Sequence, residues 1–274
     1  MRHIISYLFK SSTIMEGGAM IEKMDINDIF KIIGYTPPDR TNLNSTGLVS
    51  IITSTNKTEY SKNIFMNYNQ QNYQDKELII ILNNNNLDIQ KWQDYSKSFQ
   101  NVQVFQLDES TTLGSCLNFA IEKSKGDYIA KFDDDDYYGP NYLIDQINCF
   151  SDVNTQIIGR VERFMHFPES KILGIANIGV RNCFHNWIIG PSPVIKRDVF
   201  NKVKFNDINR GEDQTFFRKC LKVGFKLYTG NPFNYVQIRH RDLNKHTMKV
   251  SVELSQKACK IIAITDNFKP LVTM

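Results

Sequence analysis

Between residues 48 and 132 the chain alternates apolar, β-branched runs with helical patterns, and few folds satisfy that alternation. The runs are Leu48-Val49-Ser50-Ile51-Ile52-Thr53 and residues 77–82, 102–107 and 127–132. Such near-continuous apolar strands suit a sheet buried on both faces. Between them Tyr60, Ile64, Phe65 and Tyr68 share a helical face, and residues 87–99 read as a second helix. Leu113, Cys116, Leu117, Ala120 and Ile121 fall at i, i+3, i+4, i+7 and i+8, an amphipathic helix that Gly126 is expected to end. Strands and helices joined by links this short predict an α/β fold. Its expected form is a Rossmann-like, mostly parallel central sheet flanked by helices.

The rest of the chain is less regular. A short helix carries Ile26, Ile29, Phe30 and Ile33, and a breaker segment from Pro37 to Asn42 follows. Residues 140–150 read as a helix, and 157–164, 172–180 and 187–195 as strands. Residues 211–223 form a helical pattern with Phe216, Phe217, Cys220 and Leu221 on one face. Residues 225–228 and 235–238 read as strands closing the same sheet, and 251–263 as a helix. With no internal repeat and no linker, a single domain is expected over residues 47–250. Its nucleotide-binding half is 47–139 and its acceptor half 140–250, between an N-terminal extension (1–46) and a C-terminal helix or tail (251–274). DNA encoding Met15-Glu16-Gly17-Gly18-Ala19-Met20 can carry GGAGG just before an ATG, like a bacterial ribosome-binding site. The natural start is therefore expected at Met20, with residues 1–19 not native.

Length and composition agree with one sizeable α/β unit. The 274 residues are 41% hydrophobic and 12% aromatic, enough for a buried core and against disorder. A balance of 33 basic and 29 acidic side chains is too even for nucleic-acid binding. Cys116, Cys149, Cys183, Cys220 and Cys259 have no CxxC spacing, so reduced thiols of a cytoplasmic protein are expected. No stretch approaches the ~20 apolar residues of a membrane span, and no signal-peptide core is evident. The expected place of work is the cytoplasm, or the inner face of the membrane as a peripheral protein.

The chemistry concentrates where the fourth strand ends, at Asp133-Asp134-Asp135-Asp136. Adjacent carboxylates repel one another and call for a cation or full solvation. A solvated acidic turn is the plain alternative, but the strand fixes this run at the edge where open α/β sheets bind ligands. Carboxylate oxygens at an Asp-x-Asp spacing suit Mg²⁺ or Mn²⁺. Thr53-Ser54-Thr55-Asn56 and Asn83-Asn84 end the first two strands at the same edge. No glycine-rich phosphate loop follows any strand, so a bound diphosphate would rely on a metal. Downstream, Gly211-Glu212-Asp213-Gln214 opens a helix, where the dipole favours an ionised, rigidly placed carboxylate.

Together these landmarks resemble the family 2 glycosyltransferases of the GT-A fold, across about residues 48–247. The resemblance rests on Val49-Ser50-Ile51-Ile52, Gln71-Asn72-Tyr73 and Glu77-Leu78-Ile79-Ile80. It continues through Gly114, Asn118 and Lys125-Gly126-Asp127-Tyr128-Ile129-Ala130 to the acidic run and Gly211-Glu212-Asp213. It implies an inverting transferase that uses a UDP-linked sugar and Mn²⁺ or Mg²⁺. By this match Thr53, Ser54, Thr55, Asn56, Asn83, Gly114, Asn118, Asp133 and Asp134 would bind the nucleotide-sugar. Asp133 and Asp135 would hold the metal, with His240 or, by preference, His246 as a further ligand. Asp213 would be the general base.

Two positions depart from the family pattern. Leu82 and Asn83 stand where an acidic pair commonly reads the base, and Leu117 stands beside Asn118 where an arginine is common. Arg239 or Lys131 could supply the missing diphosphate contact. The implied acceptor is a glycan, a lipid-linked glycan or a protein, in surface polysaccharide or spore-coat glycosylation of a Gram-positive bacterium. Phe164, His166, Trp187 and Tyr228 are candidate sugar-stacking residues. Two other readings stay open: a catalytically impaired nucleotide-sugar-binding protein of the same fold, and a sugar-nucleotide pyrophosphorylase.

Overall fold

A computed structural model describes residues 24–37, 46–242 and 250–274. Its first helix, α1 (Ile26–Ile33), is bounded by an Asp25–Asp28 capping box and by Gly34 in the left-handed region. The predicted strands then appear as β1 (Val49–Thr55), β2 (Lys76–Leu82), β3 (Val102–Gln106) and β4 (Tyr128–Lys131). They lie parallel in the order β3-β2-β1-β4, joined through α2 (Ser61–Asn69), α3 (Ile89–Ser96) and α4 (Leu113–Lys123). Strand alternation divides their side chains between two layers. Ile51, Leu78 and Ile80 pack with Phe65 and Trp92 on one face; Ile52, Ile79 and Ile81 pack with Cys116, Leu117 and Ala120 on the other. This α/β sheet flanked by helices is the predicted fold.

Gly126 has a different task from the one expected. α4 stops at Lys123 with an extended Ser124 cap. A Cβ on Gly126 would lie 2.6 Å from the Leu48 carbonyl oxygen and from the Ser50 nitrogen, so glycine here lets β4 enter beside β1.

The sheet continues beyond β4 as the antiparallel β10 (Val194–Lys196), then β6 (Ile157–Gly159), β11 (Leu227–Thr229) and β9 (Cys183–His185). A second, five-stranded sheet was not anticipated. Its order is β13 (Cys259–Ile264), β8 (Ile172–Ala176), β7 (Arg163–Phe167), β12 (Tyr235–Ile238) and β5 (Tyr137–Tyr138). The predicted strand 157–164 therefore breaks after Gly159 and feeds both sheets. Residues 187–193 form a loop rather than a strand, and residues 227–229 and 235–238 belong to different sheets. The predicted tail helix is helical only over α7 (Val252–Lys257), after which β-branched residues pair with β8.

The two flanking segments meet on this second sheet. Ile29, Ile33 and Tyr35 share an apolar cluster with Phe164, Phe233, Ile262, and Leu271 and Val272 of α8 (Lys269–Val272). Asn234 N–H donates to the Val272 carbonyl (2.8 Å), and the Tyr137 hydroxyl pairs with Thr273 Oγ1 (2.9 Å). Two further helices complete the fold, α5 (Tyr142–Asp152) and α6 (Glu212–Lys222). All five cysteines are free thiols. No helix among the described residues is long and apolar enough to cross a membrane. The Met20 start and His246 lie outside the described residues.

Candidate active site

The acidic run forms the loop between β4 and β5, and the face of α2 shapes it. Asn63 Nδ2 donates to the carbonyl oxygens of Asp134 (2.8 Å) and Asp136 (2.9 Å). One turn later Asn67 Nδ2 donates to the Asp136 carbonyl (2.8 Å), and its Oδ1 accepts from Tyr138 N–H (3.1 Å). With the backbone held from behind, Asp133, Asp135 and Asp136 each bring a carboxylate oxygen within 4.8 Å of the others. Three hard oxygens at this separation fit a divalent cation such as Mg²⁺ or Mn²⁺. Asp134 turns the other way and accepts from Thr55 Oγ1 (2.5 Å). Asp136 is the most anchored, taking the Tyr235 hydroxyl (2.6 Å) and Ile238 N–H (2.9 Å). Burial first, then neighbouring carboxylates, push Asp136 up to about 7 and Asp135 well above its ordinary value. Burial likewise pushes Asp134 up to about 6 against the Thr55 hydrogen bond. Collecting charge at such a cost is what a bound cation would offset.

Lys131 and Arg239 bring positive charge to the run. Lys131, buried at the end of β4, is ion-paired with Asp133. Burial opposes its charge, but Asp133, Glu212 and Asp213 together hold its pKa above the usual lysine value. The buried Arg239 guanidinium lies near Asp135 and Asp136 and donates to the Val250 carbonyl (2.9 Å).

Asp213 sits in the first turn of α6, after Gly211 at φ 74°. Its Oδ1 accepts from Gln214 N–H (2.6 Å), and its other oxygen rests against Gly190. A Cβ on Gly190 would stand 1.7 Å from Asp213 Oδ2. The Gly190 loop is held by Tyr138, whose hydroxyl donates to the Pro191 carbonyl (2.7 Å), and by Tyr142, whose hydroxyl donates to the Ser192 carbonyl (2.7 Å). The same Tyr138 hydroxyl accepts from Asp133 N–H (2.8 Å). One buried tyrosine thus ties the acidic run to the loop beneath Asp213. Burial raises the Asp213 pKa, Lys131 draws it back, and burial pushes neighbouring Glu212 up to about 7. A partly desolvated carboxylate at a helix start, beside a carboxylate cluster, can accept a proton near a metal-bound diphosphate.

The family model for glycosyl transferase family 2 matches residues 50–191. The chain belongs to glycosyl transferase family 2. It is 26% identical over 200 residues to TuaG of Bacillus subtilis (strain 168), named as a teichuronic acid biosynthesis glycosyltransferase. That match covers 67% of this chain and 76% of TuaG. The fold is similar to S. aureus TarS (residues 1–349) at a TM-score of 0.54 and 16% identity, covering 70% of this chain and 60% of that one. TarS has been solved with UDP-GlcNAc. The mannosyltransferase PcManGT of Pyrobaculum calidifontis, solved with GDP-Man and Mn²⁺, is similar at a TM-score of 0.56 and 14% identity, over 88% of this chain and 73% of its own.

The family 2 pattern predicted further contacts, and the structure gives several of those side chains other partners. Thr53 Oγ1 donates to the Phe132 carbonyl (2.5 Å), clipping β1 to the start of the acidic run. Ser54 hydrogen-bonds the Cys116 thiol, and the Asn56 carbonyl accepts from Asn84 Nδ2 (3.0 Å). Asn83 Nδ2 donates to the Asp108 carbonyl (2.8 Å). Asn118 pairs both ways with the Phe205 backbone (3.0 and 3.1 Å), and a Cβ on Gly114 would sit 1.8 Å from the Asn206 carbonyl oxygen. Both therefore hold the segment leading to Asp213. His240 Nδ1 lies 3.4 Å from Glu169 and outside the carboxylate cluster, where its neighbour Arg239 stands instead. Phe164 is a wholly buried core residue, and His166 Nε2 pairs with the Thr265 carbonyl (3.0 Å), so burial removes both from the sugar-stacking set. Trp187 is half-buried against both cores, and Tyr228 meets Phe184 edge-on. Sequence reasoning missed Asn63, Asn67, Tyr138, Gly190 and Tyr235. The i, i+4 asparagines beside the apolar face of α2 were the one available signal.

Proposed function

We propose that this family 2 glycosyltransferase moves a sugar from a UDP-linked donor to an acceptor hydroxyl, inverting the anomeric carbon, in the assembly of a cell-surface polysaccharide. The observation that carries this reading is the meeting of the three-carboxylate cluster with Asp213 at one sheet edge, across the shared Lys131. Asp133 and Asp135, with Asp136 behind them, would hold Mn²⁺ or Mg²⁺, which when bound offsets the charge of the departing nucleoside diphosphate. Asn56 and Asn83 would border the nucleotide side of the crevice, with the buried Thr53 and Thr55 behind them, and Arg239 would supply positive charge near the diphosphate. Asp213 accepts the proton of the acceptor hydroxyl as that oxygen attacks. The TuaG match supports a polysaccharide acceptor, and the UDP-GlcNAc complex of TarS supports a UDP donor.

The test is turnover of UDP-sugars with Mn²⁺, read as UDP release, with water as acceptor where no glycan is supplied. Asp213→Asn should abolish release while UDP still binds. Near-normal release from Asp213→Asn would refute the assignment of the base.

A further inference from the structure

Tyr60, just before α2, extends the helix face that shapes the acidic run. Tyr60 precedes Asn63 and Asn67 by three and seven positions, so the three share a helical face. Asn63 and Asn67 are spent on the carbonyls of the run. Tyr60 is only 9% exposed, yet its hydroxyl has no hydrogen-bond partner among the described residues. It lies outside the apolar clusters found among the described residues. Burial, then the charges of Asp135 and Asp134, hold the phenol above its ordinary range, so it remains a protonated donor. The Asp134 carboxylate is engaged by Thr55, and that of Asp136 by Tyr235 and Ile238. Lys57 Nζ lies 5.2 Å from the centre of the Tyr60 ring, a cation on this side of the acidic run.

A buried O–H donor close to a carboxylate cluster, with an ammonium near its ring, suits an anionic oxygen as partner. We infer that the Tyr60 hydroxyl is a binding group for the sugar donor, donating a hydrogen bond to a phosphate oxygen of its nucleoside diphosphate. The inference rests on the proposed transferase reading.

Tyr60→Phe removes only the oxygen. UDP affinity in the presence of Mn²⁺, measured by calorimetry, should fall about tenfold to a hundredfold, as for loss of a hydrogen bond to a charged group. Mn²⁺ affinity without nucleotide, read by electron paramagnetic resonance, should not change. The ligand-free melting temperature should hold or rise, because a buried unsatisfied hydroxyl is gone. Unchanged UDP affinity in the variant, against a wild type that binds, overturns the inference and leaves the transferase reading standing. So does a lower melting temperature with unchanged UDP affinity, which marks a structural hydroxyl. Equal losses for Mn²⁺ and UDP place the effect in the cation site and overturn it too. A wild type that binds no nucleoside diphosphate brings down both readings.

Discussion

Gly190→Ala isolates the placement of Asp213, the proposed base, from everything else at the site. Gly190 has no left-handed backbone angle, so alanine fits its conformation, and the whole effect comes from the added methyl. That methyl would lie 1.7 Å from Asp213 Oδ2 and 2.7 Å from Asp213 Cγ. An ordinary contact begins near 3.4 Å, so the carboxylate oxygen must retreat by about 1.7 Å. The loop cannot yield easily, because Tyr138 and Tyr142 hold its carbonyls. The side chain can, by rotating away from Gln214 N–H toward solvent. Stability should therefore fall by only about 1 kcal/mol, the low end for an overpacked site. Activity should fall far more, since a 1 Å misplacement of a reacting group costs about 10²-fold. A 10²-fold loss corresponds to about 2.7 kcal/mol of barrier.

The assay pairs UDP release from UDP-sugars with calorimetric UDP affinity and a melting curve. The expected pattern is a loss of at least about 10²-fold in kcat, UDP affinity within twofold, and a small shift in Tm. Turnover within a few-fold of wild type would refute the claim that Gly190 seats the base. A rate loss that tracks lost UDP affinity would refute the separation of the base from the donor site.

Other perturbations probe neighbouring parts. Asp135→Ala should lower Mn²⁺-dependent UDP affinity by tenfold or more by calorimetry; an unchanged value would remove Asp135 from the cation site. Glu212, pushed up to about 7 from 4.5 when folded, binds more protons in the native state, so its contribution to stability falls as pH rises from about 4.5 to 7. Glu212→Gln should then stabilise the protein above pH 7, by up to about 3 kcal/mol, and match wild type near pH 4. Parallel Tm–pH curves for the two proteins would contradict this. Tyr138→Phe keeps the ring stacked 3.7 Å from Phe132 but removes the bridge between Asp133 and Pro191. It should cost about 1–3 kcal/mol in denaturant melts, for two backbone groups left unpaired. No change would mean that the bridge carries no energy.

The parallel half was legible because each of its strands is buried on both faces, so the sequence shows it as an uninterrupted apolar run. Ile51 and Ile52 point into different cores, yet both must be apolar. The second half hid its architecture for the opposite reason. Its strands are three to six residues long, and Ile157–Gly159 and Arg163–Phe167 run almost together while serving different sheets. Residues 187–193 look like a strand because Ile188 and Ile189 are buried, but the Pro191 and Ser192 carbonyls pair with tyrosine hydroxyls rather than with a neighbouring strand. Periodicity reports where side chains go, not where backbone groups find partners. The same limit hid Gly190, whose importance lies in what a side chain would strike.

The acidic run shows how function and fold share one segment. Four adjacent carboxylates stay folded because each meets a different neighbour: Lys131 for Asp133, Thr55 for Asp134, Arg239 near Asp135, Tyr235 for Asp136. The anchoring of the loop by its neighbours does this sorting. It turns Asp134 toward the end of β1 and leaves Asp133 and Asp135 with the cation-binding geometry. Asp136 is anchored to β12 while its oxygen stays within reach of Asp133 and Asp135. Asp136 is therefore where the second sheet touches the carboxylate cluster.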